Sequence, residues 1–189
     1  MTFQEGITKI GDRTFYMDTH ITTIKFPSTL TVIGTGAFEE CTGISGSLVI
    51  PDGVTYLGAY AFKKCSPITE LTLPISLNAS ANKDKDKYSF YGCSNIVKIT
   101  FTKGTGVGYD YDNDIRKGTP WYISKDKLTT AVFQDGITHL GTDALYGAKN
   151  VTSVDIPSSV TSIGGSAFED TGLAGVLHIP DRVTSIGGY

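Results

Sequence analysis

A five-residue phrase occurs six times in this chain, at Ile7–Gly11, Leu30–Gly34, Val54–Gly58, Ile137–Gly141, Val160–Gly164 and Val183–Gly187. It reads apolar, Thr, any residue, apolar, Gly, and most neighbouring copies stand 23 or 24 residues apart. Self-similarity at that period is the mark of a solenoid, in which one coil cannot enclose its own apolar residues and stacking completes the core. The phrase therefore constrains architecture far more than it constrains chemistry.

The coil from Val54 to near Ser76 shows how one repeat is built. Val54, Leu57, Ala61, Phe62, Cys65, Ile68, Leu71 and Leu73 form its apolar skeleton, and Pro74 closes it. Ile68–Leu73 ends in strict alternation, which predicts a half-buried strand, and proline stops the ladder. Val54–Leu57 predicts a second short extended segment, Gly58 a sharp bend, and Ala61-Phe62 a short helical or 3-10 turn that places the ring inside. Equivalent positions hold Phe15, Phe38, Phe90 and Phe168, with Leu145 in one coil, so the rings are expected to form a column.

Between Val54 and Ile137 the phrase is hidden. Leu77 falls on the 23-residue beat, and Val107 divides the remainder into two stretches of 30, so two longer coils are expected there. Phe90, Cys93, Ile96, Ile99 and Phe101 keep the first in phase after the polar insertion at 82–87, and Leu128, Ala131 and Phe133 restore phase in the second. The reading is thus seven coils and a stub forming one unit over 1–189, irregular over 78–131. Surface insertions of this kind cost little. The first residues match the interior of a later repeat (Phe3 to Ile7 with Phe133 to Ile137), so a piece of a longer array is expected.

Composition narrows function. The 189 residues carry 22 glycines and a net charge of -3 with both signs interspersed, which favours neither nucleic acid nor an anionic membrane as partner. No apolar run reaches the ~18 residues of a membrane span, and no leader peptide is visible.

These residues resemble the BspA-like leucine-rich repeats of bacterial and some protist surface proteins. The family pattern is a strand ending in Ile-Pro, then Val-Thr-x-Ile-Gly-x-x-Ala-Phe-x-x-Cys. Here Ile50-Pro51 leads to Val54-Thr55-Tyr56-Leu57-Gly58 and Ala61-Phe62-Lys63-Lys64-Cys65. Ile156-Pro157 leads likewise to Val160–Gly164 and Ala167-Phe168. Gly104-Thr105-Gly106, with the later Thr119-Pro120-Trp121-Tyr122, is similar to an irregular coil of such proteins. The chain departs from the pattern at Ala148, Thr171 and residues 78–127. The resemblance implies a mainly β leucine-rich-repeat solenoid with a parallel sheet on one face and short strands and 3-10 or helical turns elsewhere. It further implies a surface or secreted location and adhesion to host proteins or other cells, and it supplies no catalytic residue.

Cys41, Cys65 and Cys93 each follow the phenylalanine by three residues; without a Cys-x-x-Cys or a histidine pair they read as a ladder of small buried thiols, not a metal site or disulfide. Asp110, Asp112 and Asp114 mimic the start of a calcium loop, but Ile115 and Trp121 stand where the turn glycine and distal carboxylate belong, so an exposed acidic loop is expected. His20, His139 and His178 are too dispersed for a triad, and no nucleophile elbow or phosphate loop is present. Asn78-Ala79-Ser80 and Asn150-Val151-Thr152 match glycosylation sequons, which are short enough to arise by chance. No cofactor or metal is expected.

The outward strand positions vary while the core repeats. They are Lys25, Val49, Thr72, Thr100, Val132, Asp155 and His178, flanked by Thr23, Ser47, Glu70, Lys98, Thr130, Ser153 and Val176. Solenoids bind extended partners on such faces, although an ordinary solvated face satisfies the same pattern. Tyr109, Tyr111, Trp121 and Tyr122 add an aromatic cluster that serves either loop packing or binding. The leading expectation is a protein-interaction module for a protein or cell-surface ligand such as host matrix, with no nucleic acid and no membrane insertion. A spacer that projects another domain is the alternative, an enzyme such as a carbohydrate-active one the less favoured third. Uncapped ends of the stack are expected to permit end-to-end or edge self-association.

Overall fold

The structure, a computed structural model, describes residues 1–75, 77, 89–103 and 124–188. They form a parallel-strand solenoid with a single continuous apolar core running through the stacked coils. The Val107 coil start, the 82–87 insertion, the acidic 110–114 stretch, the Asn78 sequon, Tyr109, Tyr111, Trp121 and Tyr122 lie outside the described residues.

Each repeated phrase contributes a two-residue strand. β1 (Lys9–Ile10), β2 (Val32–Ile33) and β4 (Tyr56–Leu57) form one parallel sheet, and β8 (His139–Leu140), β9 (Ser162–Ile163) and β10 (Ser185–Ile186) another. The opposite side of the coil carries a four-stranded parallel sheet of β3 (Gly46–Val49), β5 (Ile68–Pro74), β6 (Lys98–Thr102) and β7 (Thr130–Phe133). Alternation along these strands buries Leu48, Leu71, Ile99 and Ala131 and turns their neighbours outward.

The Thr of the phrase is placed by the preceding coil. The Thr31 hydroxyl donates to the Thr8 carbonyl at 3.0 Å, Thr161 to Thr138 at 3.0 Å and Thr184 to Thr161 at 3.3 Å. The phrase Gly also answers to its neighbour. A Cβ at Gly58 would lie 2.4 Å from the Thr35 nitrogen, and one at Gly164 2.3 Å from the Thr142 nitrogen. Neither glycine has positive φ, so the expectation that Gly58 serves a sharp bend is corrected: it serves close backbone approach between coils.

The Ala-Phe segment is a succession of tight turns, not a helix. Ala37 N–H bonds Gly34 O, Glu39 N–H bonds Gly36 O and Cys41 N–H bonds Phe38 O. Two residues per coil interrupt any helix by lying in the left-handed region, two places after the phrase Gly (Arg13, Gly36, Tyr60, Asp143, Ser166) and two after the Phe (Met17, Glu40, Lys64, Gly92, Gly147, Asp170). The rings form the expected column in the first half: Phe15, Phe38, Phe62 and Phe90 stack with centroids 5.1, 5.2 and 5.4 Å apart. Leu145 takes the same place fully buried, while Phe168 is only partly buried against the core.

One expectation needs correction. The ladder on the strand side does not continue through every coil. Residues 151–156 and 173–179 lie in no strand, and Lys25 joins only an isolated bridge to Thr2. Two left-handed glycines explain two of the breaks. At Gly46 (φ 72°) the register with β5 shifts, and on the strand side Ser45 N–H to Thr22 O bonds this coil to the preceding one. Gly175 (φ 81°) acts alike, with Ala174 N–H bonded to Thr152 O beside it. A residue in that conformation turns the next N–H and C=O off the ladder direction.

Candidate interaction surface

The four-stranded sheet aligns two outward rows. One row is Ser47, Glu70, Lys98 and Thr130; the other is Val49, Thr72, Thr100 and Val132. Glu70, Thr72 and Lys98, singled out from sequence, are therefore true neighbours. Glu70 and Lys98 lie 3.9 Å apart with their side chains 47% and 43% exposed, a solvated pair free to exchange partners. Val49 is 50% exposed and Val132 37%, so apolar surface stands at each edge of a Thr-lined centre. Such a mixture supplies contact area and hydrogen-bonding groups together.

The remaining candidates are placed differently. Lys25 is exposed beside the first residues, its amide bonded to the Met1 carbonyl. Asp155 and His178 are exposed but belong to segments outside the ladder, so they flank the sheet instead of extending its rows.

The cysteines are free, buried and spaced one per coil. Cys41, Cys65 and Cys93 donate to the carbonyls of Phe15, Phe38 and Phe62 at 2.9, 3.2 and 3.1 Å. Burial raises the Cys41 thiol to about 11 and the Cys93 thiol to about 12, and pushes Cys65 up as well. Protonated thiols are poor nucleophiles and poor metal ligands. Among the described residues no group of three His, Cys, Asp or Glu converges as a metal site would require.

An inter-coil charge tie on the turn face escaped the sequence reading. Glu39, almost buried, accepts from Lys63 at 2.8 Å and lies 3.9 Å from Arg13, and Glu40 pairs with Lys64 at 2.6 Å. Arg13 and Lys63 also cover the rings of Tyr16 and Tyr60, each 4.4 Å from the centroid. The signal was available, since Glu39-Glu40 and Lys63-Lys64 are one coil period apart.

A family model described as a BspA type leucine rich repeat region matches six copies over residues 1–111 and 115–189. Among solved structures, the chain is similar to a leucine-rich repeat protein from Eubacterium ventriosum, with 18% identity and a TM-score of 0.61, over 96% of this chain and 46% of that one. A leucine-rich repeat protein from Bacteroides ovatus matches with 18% identity and a TM-score of 0.49, over 99% and 50%. A leucine rich cell surface protein from Faecalibacterium prausnitzii matches with 24% identity and a TM-score of 0.42, over 96% and 39%. The chain thus spans about half the length of the first two. No curated protein matches it. The repeated phrase, the coil it builds and the family match over nearly all residues agree: the chain belongs to the BspA-type leucine-rich repeat family.

Proposed function

We propose that the chain is a non-enzymatic adhesion or recognition module, displayed at a cell surface or secreted, that engages a protein ligand through the four-stranded sheet face. Leucine-rich repeats of this kind generally serve as protein-interaction scaffolds and are typically non-catalytic. The observation that carries the proposal is the contrast within the sheet. Beneath it the residues are uniformly apolar, while of the two aligned rows above it one mixes hydroxyl and charged side chains from strand to strand and the other sets threonines between two exposed valines. Lys25, Asp155 and His178 are the outer contacts of this reading. The surface location rests on the family resemblance; separately, among the described residues no helix is long and apolar enough to cross a membrane.

The test is to immobilise the chain, screen host matrix and cell-surface proteins, and repeat any positive with single substitutions Glu70→Lys, Lys98→Glu and Val132→Asp. These side chains are solvated, so melting should hold within a few degrees while affinity falls about tenfold or more. Binding untouched by all three would move the site off the sheet. Absence of any saturable partner would favour a spacer.

A further inference from the structure

The outward rows of the four-stranded sheet have the same chemistry read from either edge, except that charge changes sign. The midpoint of that order falls between β5 and β6, whose register sets Glu70 beside Lys98 and Thr72 beside Thr100. One strand further out on each side, Ser47 answers Thr130 and Val49 answers Val132. The flanking coils continue the order. Thr23 and Lys25 stand one coil period before Ser47 and Val49, Ser153 and Asp155 one period after Thr130 and Val132, and all are exposed. Across the midpoint, hydroxyl therefore answers hydroxyl, valine answers valine, and each cation answers an anion.

An order of that kind makes the face complementary to itself. Take a twofold axis lying in the plane of the face, along the strands and between β5 and β6. It exchanges the two halves of each row and keeps every residue at its place along the strand. A second copy laid on the face by this axis sets Glu70 against Lys98 of the other copy, Lys25 against Asp155 and Val49 against Val132, each contact made twice. Other placements lose the match. An axis on β5 opposes Glu70 to Glu70, one on β6 opposes Lys98 to Lys98, and like charges so opposed are strongly disfavoured. An axis along the stack sets Val49 on Ser47 and Val132 on Thr130. In the matching placement the Glu70–Lys98 pair, 3.9 Å apart within one copy, becomes part of a ring of alternating charges.

We infer that the partner of the sheet face is a second copy of this chain, docked face to face across that axis. This rests on the reading of the face as the interaction surface and names what it binds. Two sheets packed in this way stand about 10 Å apart with their strands aligned. The two stacks run in opposite directions, so the copies can approach from facing surfaces, and the contact closes on itself at two chains. The face offers fewer residues than the roughly 20–30 a side of a standard interface. Pairing is therefore weak for single molecules and strengthens where many copies are displayed together.

Sedimentation of the 189-residue chain over a range of concentrations tests it. The mean mass should rise from 20.2 kDa toward twice that value and stop there. Glu70→Lys leaves cations at both central positions and Lys98→Glu leaves anions at both, so each variant alone should pair at least about tenfold more weakly than the parent. Mixed together, each cation of one variant faces an anion of the other, and 1:1 pairs should form. The double variant Glu70→Lys, Lys98→Glu exchanges the two charges and should regain self-pairing. Circular dichroism reports that each variant keeps the parent fold. A chain that stays at the single mass at every concentration overturns the inference. So does pairing that both single variants retain, or a mixture of the two that fails to pair. No self-pairing, with binding to a different protein that falls in both variants, overturns the second copy alone and leaves the sheet face as the site.

Discussion

Gly58 is glycine because of residues 24 positions away in the chain. Its own backbone would accept a side chain, but Gly34 and Thr35 of the preceding coil leave no room for one. Gly58→Ala should therefore push two coils apart and lower stability by about 1–3 kcal/mol, as overpacking does. Urea unfolding followed by circular dichroism would measure it, with Gly11→Ala, where a Cβ meets the Thr14 hydroxyl at 3.3 Å and no backbone, as the control that should lose distinctly less. The recurrence of the glycine was plain in the sequence. Its cause was not, because a single coil offers no neighbour for a Cβ to strike. The phrase Thr has the same history: its hydroxyl reaches the preceding coil's carbonyl, a direction that only stacking reveals.

At the scale of elements, the phenylalanine column joins the early coils. Phe62 is fully buried between Phe38 and Phe90, nearly parallel to both at 5° and 7°. Phe62→Ala removes both contacts and leaves a cavity, so the expected loss is about 3–5 kcal/mol, read as a shifted urea midpoint. Phe168→Ala, at a partly buried position, should cost distinctly less. This column and the cysteine ladder beside it were legible because core positions recur at a fixed offset from the phrase. The turns between them were not. Ala61-Phe62 suggests a short helical or 3-10 turn, and the bonds there do span three residues, but Tyr60 and Lys64 hold the left-handed region at φ 59° and 61°, which stops any helix from propagating and which nothing in a tyrosine or lysine advertises. The extent of the sheet was hidden in the same way, since Gly46 and Gly175 look like ordinary turn residues until their φ values interrupt the ladder.

Over the whole molecule, protonation is tied to folding through groups that the stack buries. Desolvation raises Cys41 to about 11 and Cys93 to about 12 from an ordinary 9.0, and neighbouring thiols add to the burial effect at Cys65. Lys63 is raised above its ordinary 10.5, first by its hydrogen bond to Glu39. For thiol and ammonium alike the folded chain holds protons that the unfolded chain surrenders at lower pH. Stability from the thiols is thus complete below about 9 and declines as pH climbs toward 11 and 12; that from Lys63 is complete below 10.5 and declines through its raised value. The two effects share a sign, so urea midpoints should hold near neutrality and fall progressively above pH 9. A chain carrying Cys41→Ala, Cys65→Ala and Cys93→Ala should start lower, because three buried sulfurs are lost, yet fall less steeply between pH 9 and 11. Equal slopes for parent and triple variant would show that the buried thiols are not the groups that titrate. In the parent at neutral pH, a thiol-specific reagent should react only as fast as the coils open, since a buried, protonated sulfur offers it no nucleophile.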